Sequence, residues 1–153
     1  MVYFSIVHSI ISYGIIFWGV STHSKITFKI QKRIIKNSGN KDSCRDLFKK
    51  LNILPFQSQY TFSLLMFVVK NKGIFKTNSD VHSFNKRSHY DLHIPAVNVA
   101  VFQNGVWASG IKIYNHLPST IKQLSSDISK FKVALKRFLY TNSFYTLEEY
   151  CRW

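Results

Sequence analysis

The chain of 153 residues sets 21 Lys and Arg against 7 Asp and Glu, a formal charge of +14 with a pI near 9.9, so its field favours acidic partners. With 46% hydrophobic residues, 16% aromatics, 6 Gly and 3 Pro, disorder and collagen-like repetition are excluded, and the length suits one domain with a sizeable core. Two cysteines far apart, Cys44 and Cys151, imply no disulfide framework and fit a reducing compartment.

Residues 2–20 contain no Asp, Glu, Lys or Arg, a length that would register in a hydropathy scan. His8, three serines and Tyr13 interrupt the run, no basic residue precedes it, and no small-residue cleavage pattern follows. Residues 3–18 therefore read as one buried helix, with Phe4, Val7, Ile11 and Ile15 at three- and four-residue steps. After a polar break, residues 25–36 (KITFKIQKRIIK) resume helical periodicity. Ile26, Ile30 and Ile34 form one row, while Lys25, Lys29, Lys32, Arg33 and Lys36 share the other side.

Residues 37–42 (NSGNKD) form a turn cluster, and Ser43 with Asp46 is an acidic capping box opening a short helix to about Asn52. Pro55 suits the first turn of a third helix running to about Lys72 and stopped by Gly73. Residues 75–93 are polar and irregular and read as a long loop or extended segment over the surface. Alternating runs around Asn104-Gly105 make residues 94–107 a candidate β-hairpin. A short helix over 111–115 and another turn from Ser119 through Lys122 follow. The last long helix starts at Ser126 or Asp127 and carries Ile128, Phe131, Leu135, Phe138 and Leu139 as its stripe. The expected fold class is mainly α, a small helical domain with that hairpin. Residues 1–74 form a helical segment and 75–153 a loop, hairpin and C-terminal helix, packed as one unit.

Little here points to stand-alone catalysis. Two-metal chemistry needs clustered carboxylates, and the seven available are scattered. Asp46 and Asp127 suit helix N-termini, Asp42 and Asp80 suit turns, and Glu148-Glu149 diverge. His82, His89 and His93 lie close in sequence, but without helical periodicity or a nearby cysteine they do not make a zinc pattern. Cys44 has no orienting His, and no phosphate-cradling glycine loop is present. Hence no catalytic residue, no metal ligand and no cofactor is expected. The informative feature is charge, since residues 25–50 hold nine Lys and Arg against Asp42 and Asp46, a net +7. A face of four or five cations releases counterions from phosphates, with a merely solvated face as the alternative. The nucleic-acid candidates are Lys25, Lys29, Lys32, Arg33 and Lys36. Membrane-surface binding ranks lower because Phe28 is the only aromatic anchor there. Tyr90, Phe102, Trp107 and Tyr114 are of a type that stacks on bases, though such residues more often belong to a core.

The strings YFSIVHSIISYGIIFWG from Tyr3, KIQKRIIK from Lys29 and LFKKLNILPFQSQY from Leu47 occur in an order that resembles one family. FNKRSHYDLHIP from Phe84, GIKIYNHLPSTIK from Gly110 and the closing FKVALKRFLYTNSFYTLEEY continue the match. Together they resemble the region downstream of the catalytic core in reverse transcriptases of jockey-type non-LTR retrotransposons, elements common in insect genomes. The resemblance covers nearly the whole chain and rests on the ordered combination. It implies a thumb-proximal and C-terminal fragment of an RNA-directed DNA polymerase, with residues 1–74 thumb-like. In that setting the Ile26, Ile30 and Ile34 face packs against neighbouring helices while the basic rows track the template–primer backbone, and a missing polymerase core is the protein partner. The family's Tyr-x-Asp-Asp motif is absent, as is its endonuclease, so the fragment is not expected to be an enzyme, while the intact parent would need Mg2+. A nuclear or cytoplasmic, non-secreted location is implied, and no integral membrane insertion is expected. The alternatives are a domesticated protein-interaction module and a non-functional remnant.

Overall fold

Scarce helix breakers and long stretches of three- and four-residue apolar spacing dictate helices, and the chain is mainly helical. The computed structural model describes residues 6–36, 43–81, 91–96 and 105–153. Ten α-helices occur among them: α1 His8–Ser12, α2 Ile15–Trp18, α3 Ser24–Lys36, α4 Cys44–Lys50, α5 Phe56–Lys70, α6 Asn78–Val81, α7 Val106–Asn115, α8 Ser119–Lys122, α9 Ile128–Asn142 and α10 Leu147–Arg152. Two 3-10 turns, Lys72–Ile74 and Gln123–Ser126, extend α5 and α8. Among the described residues, β pairing is limited to an antiparallel bridge between Thr77 and Leu92.

Several boundaries follow directly from local chemistry. Ser43 Oγ accepts from the Asp46 N–H at 3.3 Å and donates to its carboxylate at 2.6 Å, opening α4 as expected. At the other end Asn52, with φ at +51°, lets Ile53 N–H reach Phe48 O and Asn52 N–H reach Lys49 O, the paired bonds of a Schellman stop. α5 begins directly after Pro55 and gives way to the 3-10 turn containing Gly73. α9 buries Phe131, Leu135 and Leu139 completely, although Ile128 at its start is exposed.

Four expectations are corrected. The single helix over residues 3–18 is broken, because Gly14 takes a left-handed φ of +60° between α1 and α2. Trp18 Nε1 donates to Tyr13 O at 2.9 Å, satisfying a carbonyl at the break. The hairpin is not formed as expected. Val106 and Trp107, its second run, open α7 directly after Gly105, and residues 97–104 lie outside the described residues. Helical spacing from Trp107 through Gly110, Ile111 and Tyr114 outweighs the short Asn-Gly signal, since Ile111 and Tyr114 bury on one face. The loop over 75–93 contains α6, opened by Thr77, whose N–H and hydroxyl both donate to Asp80 Oδ2 at 2.7 Å.

The fourth correction concerns α3. Ile26, Ile30 and Ile34 are 57%, 51% and 40% exposed, while Ser24, Gln31 and Ile35 are buried. The helix is thus turned about a third of a revolution from the expected orientation. Gln31 explains the turn. Its Nε2 amide donates to Leu54 O at 3.0 Å and its Oε1 accepts from Phe56 N–H at 2.8 Å. It bridges the two backbone groups that flank Pro55, where helix α5 starts with unpaired donors.

The chain divides into two compact units, residues 1–63 with 133–153, and residues 64–132. In the first, Ile35, Leu47, Phe48 and Ile53 form a core cluster against which Phe28, Cys44, Leu51 and Tyr145 pack. Gly19 touches this unit's Tyr60 so closely that a Cβ would fall 2.1 Å from the ring. In the second unit, Leu64, Leu65, Val68, Phe75, Leu92, Ile111 and Leu117 are among the buried residues. A Cβ on Gly110 would fall 2.8 Å from Val68.

Candidate nucleic-acid interface

α3 contains no acidic residue, and at 100° per residue its five cations occupy an arc of roughly 100°. Lys25, Lys29, Arg33 and Lys36 are exposed. Among the described residues none of these four enters an ion pair. From Lys25 to Lys36 the helix rises roughly 16 Å, about five phosphate steps of one duplex strand. The row of Ile26, Ile30 and Ile34 flanks this arc in solvent.

Lys32 differs from its neighbours. It is half-buried, with Nζ 4.7 Å from the centroid of Phe28 and 5.8 Å from that of Tyr145, so the rings' π faces hold its charge. Phe28 and Tyr145 meet edge to face at 5.0 Å, and Phe48 closes the group at 6.3 and 6.1 Å from them. Arg45 lies 4.5 Å over the Tyr145 ring and pairs with Glu149 at 3.2 Å. Burial pushes the Tyr145 phenol up to about 12, Cys44 adding to the rise and Arg45 opposing it. Its hydroxyl is buried and has no hydrogen-bond partner among the described residues. Lys32 therefore belongs to the anchor of α3, and the other four cations form its outward face.

Tyr145 was not among the residues singled out from the sequence, since it lies far along the chain from Phe28. A signal for its surroundings was present in Thr146-Leu147-Glu148-Glu149. Thr146 Oγ1 accepts from the Glu149 N–H at 3.1 Å and the Glu149 carboxylate accepts from the Tyr145 N–H at 2.8 Å. This capping arrangement opens α10 and fixes Tyr145.

The other candidate groups are distributed. Asp127 accepts from the N–H groups of Ser129 and Lys130 at 3.0 and 3.1 Å, and chiefly the Lys130 bond holds its carboxyl below the ordinary range. Asp91 pairs with Lys122 at 2.9 Å; Asp42 lies outside the described residues. His93 donates its backbone N–H to Lys76 O, while His82 and His89 lie outside the described residues. Among the described residues no group of three or more His, Cys, Asp and Glu is placed to hold a metal ion. Trp107 stacks on Phe75 at 4.2 Å and Tyr114 is buried; Tyr90 and Phe102 lie outside the described residues. Among the described residues no helix is long and apolar enough to cross a membrane.

Two of the sequence strings meet in space. Asn115 accepts from the Leu92 N–H and donates to Leu92 O, both at 2.9 Å, joining the segment at Asp91-Leu92 to the end of α7. Comparison with family models, curated proteins and solved structures finds no match to this chain.

Proposed function

We propose that the outward face of α3 binds the phosphate backbone of nucleic acid, as a non-catalytic fragment of an RNA-directed DNA polymerase from a jockey-type retrotransposon. The carrying observation is the row of Lys25, Lys29, Arg33 and Lys36, exposed and without ion pairs among the described residues, on a helix that has no acid of its own. Such a row reads charge and spacing, not base sequence. The polymerase setting rests on the sequence resemblance. The thumb-like packing it implied, with the isoleucine row inward, is replaced by the orientation that Gln31 imposes.

A titration of a short RNA–DNA hybrid between about 50 and 200 mM salt tests the interface. Four phosphate contacts give a slope of log affinity against log salt of about −3 to −4. Replacing Lys25, Lys29 and Arg33 together by Gln reduces the slope to about −1. Binding that ignores salt, or that the triple variant leaves unchanged, overturns the proposal. A second reading, a domesticated protein-interaction module, is favoured by the exposed Ile26, Ile30 and Ile34. It gains ground if the salt slope is near zero.

A further inference from the structure

The unit formed by residues 64–132 contains an open cleft of about 490 Å3, bordered by Lys72, Leu92, Tyr114, Lys122 and Ser125. That volume lies in the range of small-molecule sites. Ser125 is only 7% exposed. Its Oγ accepts from Lys72 Nζ at 2.8 Å and from the Tyr114 hydroxyl at 3.3 Å. With both lone pairs engaged, its own proton needs an acceptor, and none is present among the described residues.

The cations around it are also rich in donors. Lys72 uses one of its three N–H groups on Ser125 and faces no carboxylate within ion-pair distance among the described residues. Lys122 gives two, to Asp91 Oδ1 at 2.9 Å and to Asn115 O at 2.7 Å, and keeps a third. Asp91 offsets the charge of Lys122, so Lys72 supplies the uncompensated positive charge. Leu92 and the Tyr114 ring are buried and border the cleft as apolar wall. Donors in excess beside an apolar wall are complemented by a ligand with an acceptor-rich anionic end and an apolar or ring-shaped body.

We propose that this cleft binds a small phosphomonoester, its phosphate taken by Lys72, Ser125 and Lys122 and its body lying against Leu92 and Tyr114. The site is separate in sequence from the α3 row and does not depend on that reading.

The experiment is calorimetric titration of the full chain with adenosine 5′-monophosphate, inorganic phosphate and adenosine as probes. The monophosphate binds at one saturable site; adenosine, lacking the anion, and the Lys72→Gln variant each bind about tenfold weaker or less. Inorganic phosphate competes but binds more weakly, because it lacks the body. The Lys25, Lys29 and Arg33 to Gln variant keeps full affinity for the monophosphate. In the wild-type chain, NMR shifts on adding the probe centre on Ser125 and Tyr114, a readout that needs no variant to fold. The proposal is overturned by absence of saturable binding, by equal affinity in Lys72→Gln, by inorganic phosphate matching the monophosphate, or by loss of binding in the α3 variant. Shifts confined to α3 overturn it as well.

Discussion

Tyr145 shows how much one side chain is asked to do. It takes the charge of Lys32 and of Arg45 against its ring, closes the contact with Phe28 and Phe48, and buries its hydroxyl with no hydrogen-bond partner among the described residues. The ordinary phenol value is 10 and the folded value about 12, so between these the folded chain keeps a proton that the unfolded chain releases. Stability from this group is therefore complete below pH 10 and is lost as pH rises toward 12. Tyr150, raised further by burial, acts in the same direction. Denaturant melts of wild type and Tyr145→Phe across that window should diverge as pH rises, wild type losing stability that the variant keeps, because the variant lacks one of the groups that must ionise. Parallel curves would show that Tyr145 ionises equally easily in both states.

At the scale of elements, α3 separates what spacing can tell from what it cannot. That residues 25–36 form a helix, and that its cations share one side, was legible from the sequence alone. Which side faces inward was not, because a row of isoleucines outranks a glutamine on any hydrophobicity argument. The decisive fact is long-range: Leu54 O and Phe56 N–H, on either side of Pro55, are matched by one amide. The same limit appears at Gly14, where a positive φ divides a continuous apolar run, and at Val106, where helical burial overrides an Asn-Gly turn signal. Local capping was more transparent. Ser43 with Asp46 caps α4 as its spacing implies, and Thr77 with Asp80 and Thr146 with Glu149 follow the same rule. Of the candidate site, four cations stand outward and the fifth, Lys32, is held by a ring whose proximity no spacing reveals. Two variants test the orientation. Gln31→Leu strands two buried backbone groups and should cost about 2–4 kcal/mol, whereas Ile26→Gln or Ile30→Gln should change stability by no more than about 0.5 kcal/mol. The reverse order in chemical denaturation would restore the isoleucine-inward packing.

For the whole molecule, a charge of +14 acts on stability and on binding with opposite dependence on salt. Self-repulsion weakens the folded state and is screened by added ions. Raising salt from about 10 to 200 mM should therefore raise the melting temperature by about 2–4 °C, the equivalent of roughly 1 kcal/mol, while weakening contact with nucleic acid. A melting temperature that falls with salt would mean that attractive ion pairs, not repulsion, dominate the surface. The order of the units along the chain has a consequence for synthesis. Residues 64–132 form an uninterrupted stretch set between the two parts of the other unit. A chain made from its N-terminus has α3 long before it has Tyr145 and Glu149. Until those residues leave the ribosome, Phe28 and Lys32 have no ring at position 145 to meet, and Arg45 has no carboxylate at position 149. The basic helix acquires its final anchorage only once residues 145–149 have emerged, so shorter nascent chains should bind polyanions through a less firmly seated surface than chains that include them.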